Sequence, residues 1–397
     1  MIVRVENAFL SGEIKAIPSK SYAHRIAICN FLAGKNPTAS CGDFSSNDIT
    51  VTEQCLKNLK DGINTLDCGE SGSTLRFMMP LCAVLGGNFT FVGHGKLMQR
   101  PNEELFSVFK DNGVTAQKTD VITISGKLRA GEYKIRGDIS SQYVSGLLMA
   151  LPILDGDSKI ILTTPLVSAP YVQITKEVLA SFGVKIETTD YGFFVKGNQK
   201  YDGKVLPEGD WSNMAFFLCA GAINGDITVT GLNQNSVQGD KYILEVLRLA
   251  GALVEQTKNK ISVKKSKLKA FTYCAEDCPD LVPITAVLAG YADGVSVIKN
   301  IERLKIKESD RVESTINMLA GFGIKAQSDG KNLTIYGGKP VCGRADAYND
   351  HRLAMSTAIL ALGADGVSEI TDAQAINKSY PTFFKDYNLL GGKASEI

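Results

Sequence analysis

Seven basic residues, Lys20, Arg25, Arg76, Arg100, Lys307, Arg311 and Arg352, stand at or near the start of segments with helical character. An eighth, Lys378, precedes a proline in "INKSYPTFF". The amino end of a helix already carries partial positive charge, so a cation there costs up to about 1 kcal/mol. Repeating that placement makes sense when an anion is expected. Arginine suits carboxylate and phosphate because its fork donates two parallel bonds. Two carboxylates stand among the cations. Asp280 opens an apolar segment, and Glu308 lies between Lys307 and Arg311 in "KIKESDR". Each has a plain reading, as a helix cap or an ion-pair partner. In a cation-rich cleft both can also move protons. The chemistry indicated is work on small molecules with several negative charges.

These residues hang on a repeat. Six segments share a polar start, an apolar helix, a glycine and a β-like run. They begin near Ser19, Ser71, Ser140, Ser212, Asp280 and Asp350, in steps of 52, 69, 72, 68 and 70 residues. The first, "PSKSYAHRIAICNFLAGKNPTAS", predicts a helix capped by Ser19 or Ser21, with Ile26, Ala27, Phe31 and Leu32 on its apolar face and a stop at Gly34. Between these segments lie more amphipathic helices, such as "RPNEELFSVFKDNGV" and "DRVESTINMLAGFGI", each running into short β-like stretches. One unit therefore reads βαβαββ, and six units are too regular for chance. Helices apolar nearly all round imply burial on several sides. The pattern predicts an α/β fold of two halves, three units each, with buried helices inside and sheets outside. One domain is expected over 19–207 and the other over 1–18 with 208–397. Hinges are expected near 18–20 and 207–210, with the N-terminal strand pairing in the second half. If the buried helices point their amino ends at the gap between halves, their dipoles converge there.

Bulk properties narrow the partners. Net charge is +1 over 397 residues, with 44% hydrophobic and 21% charged residues. That argues against nucleic acid or a membrane surface as partner, so any anion site is local. No apolar run reaches membrane-span length and the N-terminus lacks a signal pattern, so a cytoplasmic protein is expected. Nine scattered cysteines and three histidines give no metal-ligand spacing. There is no P-loop and no dinucleotide fingerprint, which argues against an ATPase or a dehydrogenase.

The motifs "SKSYAHR", "SGSTLR", "QRP", "SSQ", "SAPY", "KIKESDR", "YNDHR" and "NKSYP" together resemble the 5-enolpyruvylshikimate-3-phosphate synthase family, along the whole chain. The resemblance implies a two-domain inverse α/β clamp. It also implies transfer of the enolpyruvyl group of phosphoenolpyruvate to the 5-hydroxyl of shikimate 3-phosphate, in aromatic amino-acid biosynthesis. It implies no metal and no organic cofactor, and a monomer is expected. By similarity, Lys20, Ser21, Arg25, Ser140, Ser141, Gln142, Ser168, Asp280 and Lys307 would hold shikimate 3-phosphate. Lys20, Gly72, Arg100, Gln142, Arg311, Arg352 and Lys378 would hold phosphoenolpyruvate. Asp280 would accept a proton and Glu308 donate one, with Lys20 the further catalytic candidate and Arg76 an electrostatic support. Glu70 and Phe77 depart from the residues many relatives carry. Arg303, where some relatives place an asparagine, is left out of the site.

A family with the same fold, UDP-N-acetylglucosamine enolpyruvyl transferase, uses a reactive cysteine in a mobile loop. The corresponding "GHGKLMQRPN" contains none. A non-catalytic anion-binding repeat protein would need the cations but neither Asp280 nor Glu308.

Overall fold

One topological unit recurs through five four-stranded sheets of the computed structural model, which describes residues 1–397. In the simplest case, strands Thr65–Asp67 and Gly87–Val92 run parallel, Ile122–Gly126 is antiparallel to the second, and Val114–Lys118 closes the edge. A buried helix joins the first two strands, an amphipathic helix leads to the edge strand Val114–Lys118, and a hairpin returns the chain as Ile122–Gly126. The same order recurs in the sheets spanning Glu132–Val195 and Thr272–Tyr336.

By internal contacts the chain forms two compact units, Pro18–Pro207 and Met1–Ile17 with Glu208–Ile397. The first contains α1 (Lys20–Leu32), α2 (Asn47–Lys60), α3 (Gly72–Leu85), α4 (Glu103–Asp111), α5 (Ser141–Ala150) and α6 (Ala169–Ser181). The second contains α7 (Trp211–Asn224), α8 (Ile243–Leu249), α9 (Val282–Gly290), α10 (Arg311–Ala320), α11 (His351–Ala361) and α12 (Phe383–Leu389). Two strands from the start of the chain complete sheets of the second unit. Leu10–Lys15 pairs in parallel with Gly225–Thr230, and Val3–Glu6 lies between Val367–Thr371 and Lys393–Glu396.

The first repeat differs from expectation. It keeps α1 and α2, but residues 33–46 form no strand, so "KNPTAS" builds no sheet. Pro37 lacks an N–H for a ladder, and Ser40 and Gly42 take positive φ of 57° and 64°, which breaks an extended run. The apolar face of α1 differs too. Every residue from Tyr22 to Asn30 is buried, whereas Phe31 and Leu32 are only half-buried.

In each unit the apolar helices form the interior. Every residue of α9 and α11 is buried, as are Thr74–Val84 of α3. The closeness of α3 and α5 has a local cause. Pro80 cannot donate to the Arg76 carbonyl one turn back, and a side chain at Gly146 of α5 would come within 2.7 Å of that carbonyl. Glycine there lets the two helices approach, which fixes the spacing between Arg76 and Gln142.

The expected helix starts are present in part. Ser71, Ser140 and Asp350 accept backbone N–H groups of α3, α5 and α11. Ser19 occupies the cap position of α1, but its hydroxyl makes no capping bond. Asp210, not Ser212, caps α7, by accepting from the Asn213 N–H at 2.8 Å. Asp280 is not a cap either. It lies in a single 3-10 turn, Pro279–Leu281, ahead of α9. No helix is long and apolar enough to cross a membrane.

Candidate active site

In the unit Pro18–Pro207, hydrogen bonds tie together the first turns of several helices. Lys20 opens α1, and its Nζ lies 2.7 Å from Asp48 Oδ2 in the first turn of α2. An acidic group is favourable at that helix start, and here it also offsets the cation at the neighbouring one. The buried Arg25 guanidinium joins α1, α5 and α6. It donates to Thr175 Oγ1 at 2.6 Å, to the Ser21 and Tyr171 carbonyls at 2.7 and 2.9 Å, and to Ser145 Oγ at 3.3 Å. Its plane lies 5.0 Å over the Phe77 ring. Burial lowers its pKa to about 10, which leaves it cationic near neutrality. Four of its five N–H groups thus go to protein acceptors, so it offers a ligand one N–H and not a fork.

Arg76 acts as a strut. It donates to Gln142 Oε1 at 2.7 Å, the Pro101 carbonyl at 3.0 Å and Asn102 Oδ1 at 3.3 Å, with its guanidinium 5.4 Å from the Tyr143 ring. Gln142 in turn donates to Ser73 Oγ at 2.9 Å. Gly72 lies directly against Arg100, since a Cβ there would sit 2.4 Å from Arg100 Nη1. Ser140 and Ser141 open α5, and Ser168 precedes α6 with a left-handed φ of 53°. That conformation is costly for serine and is found where surrounding structure enforces it.

The other unit gathers Asp280, Lys307, Glu308, Arg311, Arg352 and Lys378. Arg311 is at the centre. It donates to Asp350 at 2.7 and 3.3 Å, to Asp280 Oδ1 at 2.6 Å and to Glu308 Oε2 at 2.6 Å. Burial opposes its charge, but these three carboxylates outweigh it and hold its pKa well above the ordinary value. Asp280 receives three cations. Lys307 Nζ is 3.3 Å from Oδ1 and Arg352 Nη2 is 3.1 Å from Oδ2, besides Arg311. A second Arg352 nitrogen donates to the Asp280 carbonyl at 3.1 Å. Burial lowers the pKa of Lys307, with Arg311 and Arg303 adding to the effect and Asp280 and Glu308 opposing it. Lys378 donates to the Asn349 carbonyl at 2.5 Å. Tyr348 and Asn349 both have positive φ, 50° and 55°, two strained residues in succession ahead of α11.

Three acidic partners escaped sequence reasoning. Asp48 pairs with Lys20, Asp350 with Arg311, and Asp240, bonded to Ser212, feels the charges of Asp280 and Arg352. Asp350 looked like a cap, and it is one, but the same carboxylate also receives Arg311. Burial, then the nearby Asp280 charge, raises the Asp240 pKa to about 6, against the opposing pull of Arg352 and Ser212. "GDKY" carries no signal for this role. The expected site residues fall ten in one unit, counting Arg76, and six in the other. Most lie at or near helix starts, whereas Lys378 ends the 3-10 helix Ala373–Lys378 and Arg25 lies in the second turn of α1. No group of three His, Cys, Asp or Glu side chains is arranged for a metal ion.

Cations and carboxylates at helix amino ends, on a repeated βαβαββ fold, define an α/β enzyme for small anions. The model of the family described as EPSP synthase (3-phosphoshikimate 1-carboxyvinyltransferase) matches residues 6–387. A 3-phosphoshikimate 1-carboxyvinyltransferase of Clostridium kluyveri is 39% identical over 99% of this chain and 98% of its own. That of Clostridium novyi is 38% identical, with the same coverage. Among solved structures, EPSP synthase from Acinetobacter baumannii superposes with a TM-score of 0.78 at 21% identity, covering all of both chains. The enolpyruvyl transferase NikO from Streptomyces tendae gives 0.76 at 15%, covering 100% of this chain and 98% of its own. The last two show the fold. The chain belongs to the EPSP synthase family.

Proposed function

We propose that this chain transfers the enolpyruvyl group of phosphoenolpyruvate to the 5-hydroxyl of shikimate 3-phosphate and releases phosphate. Family membership and the motif residues support the activity. The observation that carries the chemistry is Asp280 held by Lys307, Arg311 and Arg352, with Glu308 on the same arginine.

In this reading Lys20, Ser21, Arg25, Ser140, Ser141, Gln142, Ser168, Asp280 and Lys307 bind shikimate 3-phosphate. Lys20, Gly72, Arg100, Gln142, Arg311, Arg352 and Lys378 bind phosphoenolpyruvate. Arg25 contributes a single directed N–H and a fixed positive charge, because its other donors are committed within the protein.

The carboxylates explain how the cations are kept ready. A buried cation cluster without counter-ions would repel itself, and Asp280, Glu308 and Asp350 offset that repulsion. An incoming phosphate or carboxylate competes for Arg311, Arg352 and Lys307. As these bonds shift to the substrate, Asp280 is left with less positive charge around it and becomes a better base for the 5-hydroxyl proton. Glu308 gives its proton to the methylene carbon of phosphoenolpyruvate, and the negative substrate favours the protonated form it needs. The hydroxyl then adds to the neighbouring carbon. The resulting tetrahedral intermediate expels phosphate, which takes up the hydroxyl proton held by Asp280 and whose charge the arginines stabilise, and a proton returns from carbon to Glu308. A cytoplasmic monomer needing no cofactor is part of the same reading.

The test is direct. The purified chain with both substrates should release inorganic phosphate and form the enolpyruvyl ether, and neither substrate alone should suffice. Binding of both substrates without product would instead favour the non-catalytic anion-binding protein.

A further inference from the structure

Four buried polar side chains form a line that the reaction scheme leaves unused. His24 Nδ1 lies 2.7 Å from Thr52 Oγ1, and Thr52 Oγ1 lies 2.6 Å from Thr74 Oγ1. Thr74 donates its hydroxyl to Ser71 Oγ at 2.7 Å, and its backbone N–H reaches the same oxygen at 3.2 Å. The relative exposures of His24, Thr52, Thr74 and Ser71 are 1, 0, 0 and 1%. The line joins the beginnings of α1, α2 and α3 and ends on the residue before Gly72.

The hydrogen count gives the line a direction. Thr74 has one hydroxyl hydrogen, which Ser71 receives. Thr52 therefore donates to Thr74; its alternative acceptor, the Asp48 carbonyl, is farther away at 3.2 Å. Thr52 must then accept from His24, whose Nδ1 carries the hydrogen. His24 Nε2 is buried with no hydrogen-bond partner. In this tautomer it bears a lone pair, and the rarer situation of an orphaned buried N–H is avoided. Burial, then the charges of Lys20 and Arg25, holds the His24 pKa well below its ordinary value, so the ring is neutral at working pH.

We infer that His24 is a positioning residue for phosphoenolpyruvate: as the neutral Nδ1–H tautomer it heads a Thr52–Thr74–Ser71 hydroxyl chain that sets the Gly72 turn against Arg100. This rests on the reading of Gly72 and Arg100 as phosphoenolpyruvate ligands. The leverage is steric. Gly72 and Arg100 are in such close contact that a methyl group would overlap the guanidinium. A shift of a few tenths of an ångström in the turn therefore moves the arginine. Among the shikimate 3-phosphate residues, Arg25 is less sensitive to this effect, because four bonds to α1, α5 and α6 also hold it.

The test combines kinetics with imidazole 15N NMR, which is tractable because the sequence has three histidines. His24 should show the neutral Nδ1–H pattern near pH 7. His24→Leu should raise KM for phosphoenolpyruvate about tenfold, the equivalent of one neutral hydrogen bond. KM for shikimate 3-phosphate should stay within about twofold. His24→Asn, whose amide N–H can occupy the Nδ1 position, should restore most of the affinity. Thr52→Val breaks the chain in the middle with little change of shape and should reproduce His24→Leu, which covers the case where the leucine variant does not fold. A general packing defect would lower stability while moving both KM values or neither. The inference is overturned if His24 is the Nε2–H tautomer or if Thr52→Val leaves KM for phosphoenolpyruvate unchanged. Arg100→Ala separates the two levels. If it weakens phosphoenolpyruvate while Thr52→Val does not, the chain fails alone. If it leaves phosphoenolpyruvate unaffected, the ligand reading fails and the inference with it.

Discussion

Asp280→Asn should push turnover and stability in ways that identify both of its roles. The substitution keeps the shape and removes the charge. Three cations lose an ionic partner: Arg311 at 2.6 Å, Arg352 at 3.1 Å and Lys307 at 3.3 Å. Losing the ionised acceptor costs each cation about 1 kcal/mol, and more where the amide NH2 takes the place of an accepting oxygen. Three such changes give roughly 3 kcal/mol, reduced somewhat because Arg311 keeps Asp350 and Glu308. Added anion should recover much of that loss by taking over as counter-ion. Millimolar inorganic phosphate should therefore raise the melting temperature of the variant more than that of the parent. Turnover behaves differently, since an amide cannot accept the hydroxyl proton. It should fall by a factor of about 100 to 10,000 even with saturating substrates. Single-turnover phosphate release gives the rate, and thermal melts with and without phosphate give the stability. Turnover within about threefold of the parent would remove Asp280 as the base. Equal phosphate stabilisation of variant and parent would refute its role as stand-in anion.

Glu308→Gln keeps a hydrogen-bonding group beside Arg311 but has no acidic proton; both substrates should bind while turnover drops about a hundredfold, and near-normal turnover would shift the acid role to Lys20. Gly72→Ala should leave the fold nearly unchanged, because the atoms nearest its Cβ belong to the end of the Arg100 side chain, with Nη1 at 2.4 Å. The displaced arginine should cost about ten- to a hundredfold in phosphoenolpyruvate affinity, and an unchanged KM would show that Arg100 does not hold that substrate. Asp240→Asn tests burial of a carboxyl whose pKa goes from 3.8 to about 6 on folding. The folded chain holds this proton longer, so stability falls as pH rises through that window, by roughly 3 kcal/mol at most. Asparagine carries no such penalty, so the variant's melting temperature should gain on the parent's by several degrees more at about pH 8 than at about pH 4.5; an equal difference at both pH values would contradict it.

What was legible in the sequence was local. A serine or aspartate ahead of an apolar stretch marks a helix start through its own backbone, and Ser71, Ser140 and Asp350 do cap helices. The repeated order of strand and helix was legible because hydrophobic spacing and glycines record it within each unit. The first repeat misled because "KNPTAS" holds the place of a strand in the repeat, while Pro37 and two positive-φ residues exclude a ladder. The motif residues marked candidates for the chemistry, since arginines suited to anions and two half-buried carboxylates are specific residue types.

Only the tertiary structure decided which charges meet. Arg311 finds Asp280 and Asp350 across 31 and 39 positions of sequence, and Arg352 finds Asp280 across 72. Arg25 reaches Thr175 across 150. No local pattern encodes such pairs, because the partners stand far apart in the chain and meet only when the helices pack. The electrostatic state follows from these meetings. A buried arginine among three carboxylates, a lysine whose pKa burial depresses and an aspartate raised to about 6 depend on burial and on neighbours several helices away. The same applies to His24, which in sequence is one polar residue in an apolar helix. Folding places Thr52, Thr74 and Ser71 in line with it, and the number of hydrogens they share then fixes its tautomer.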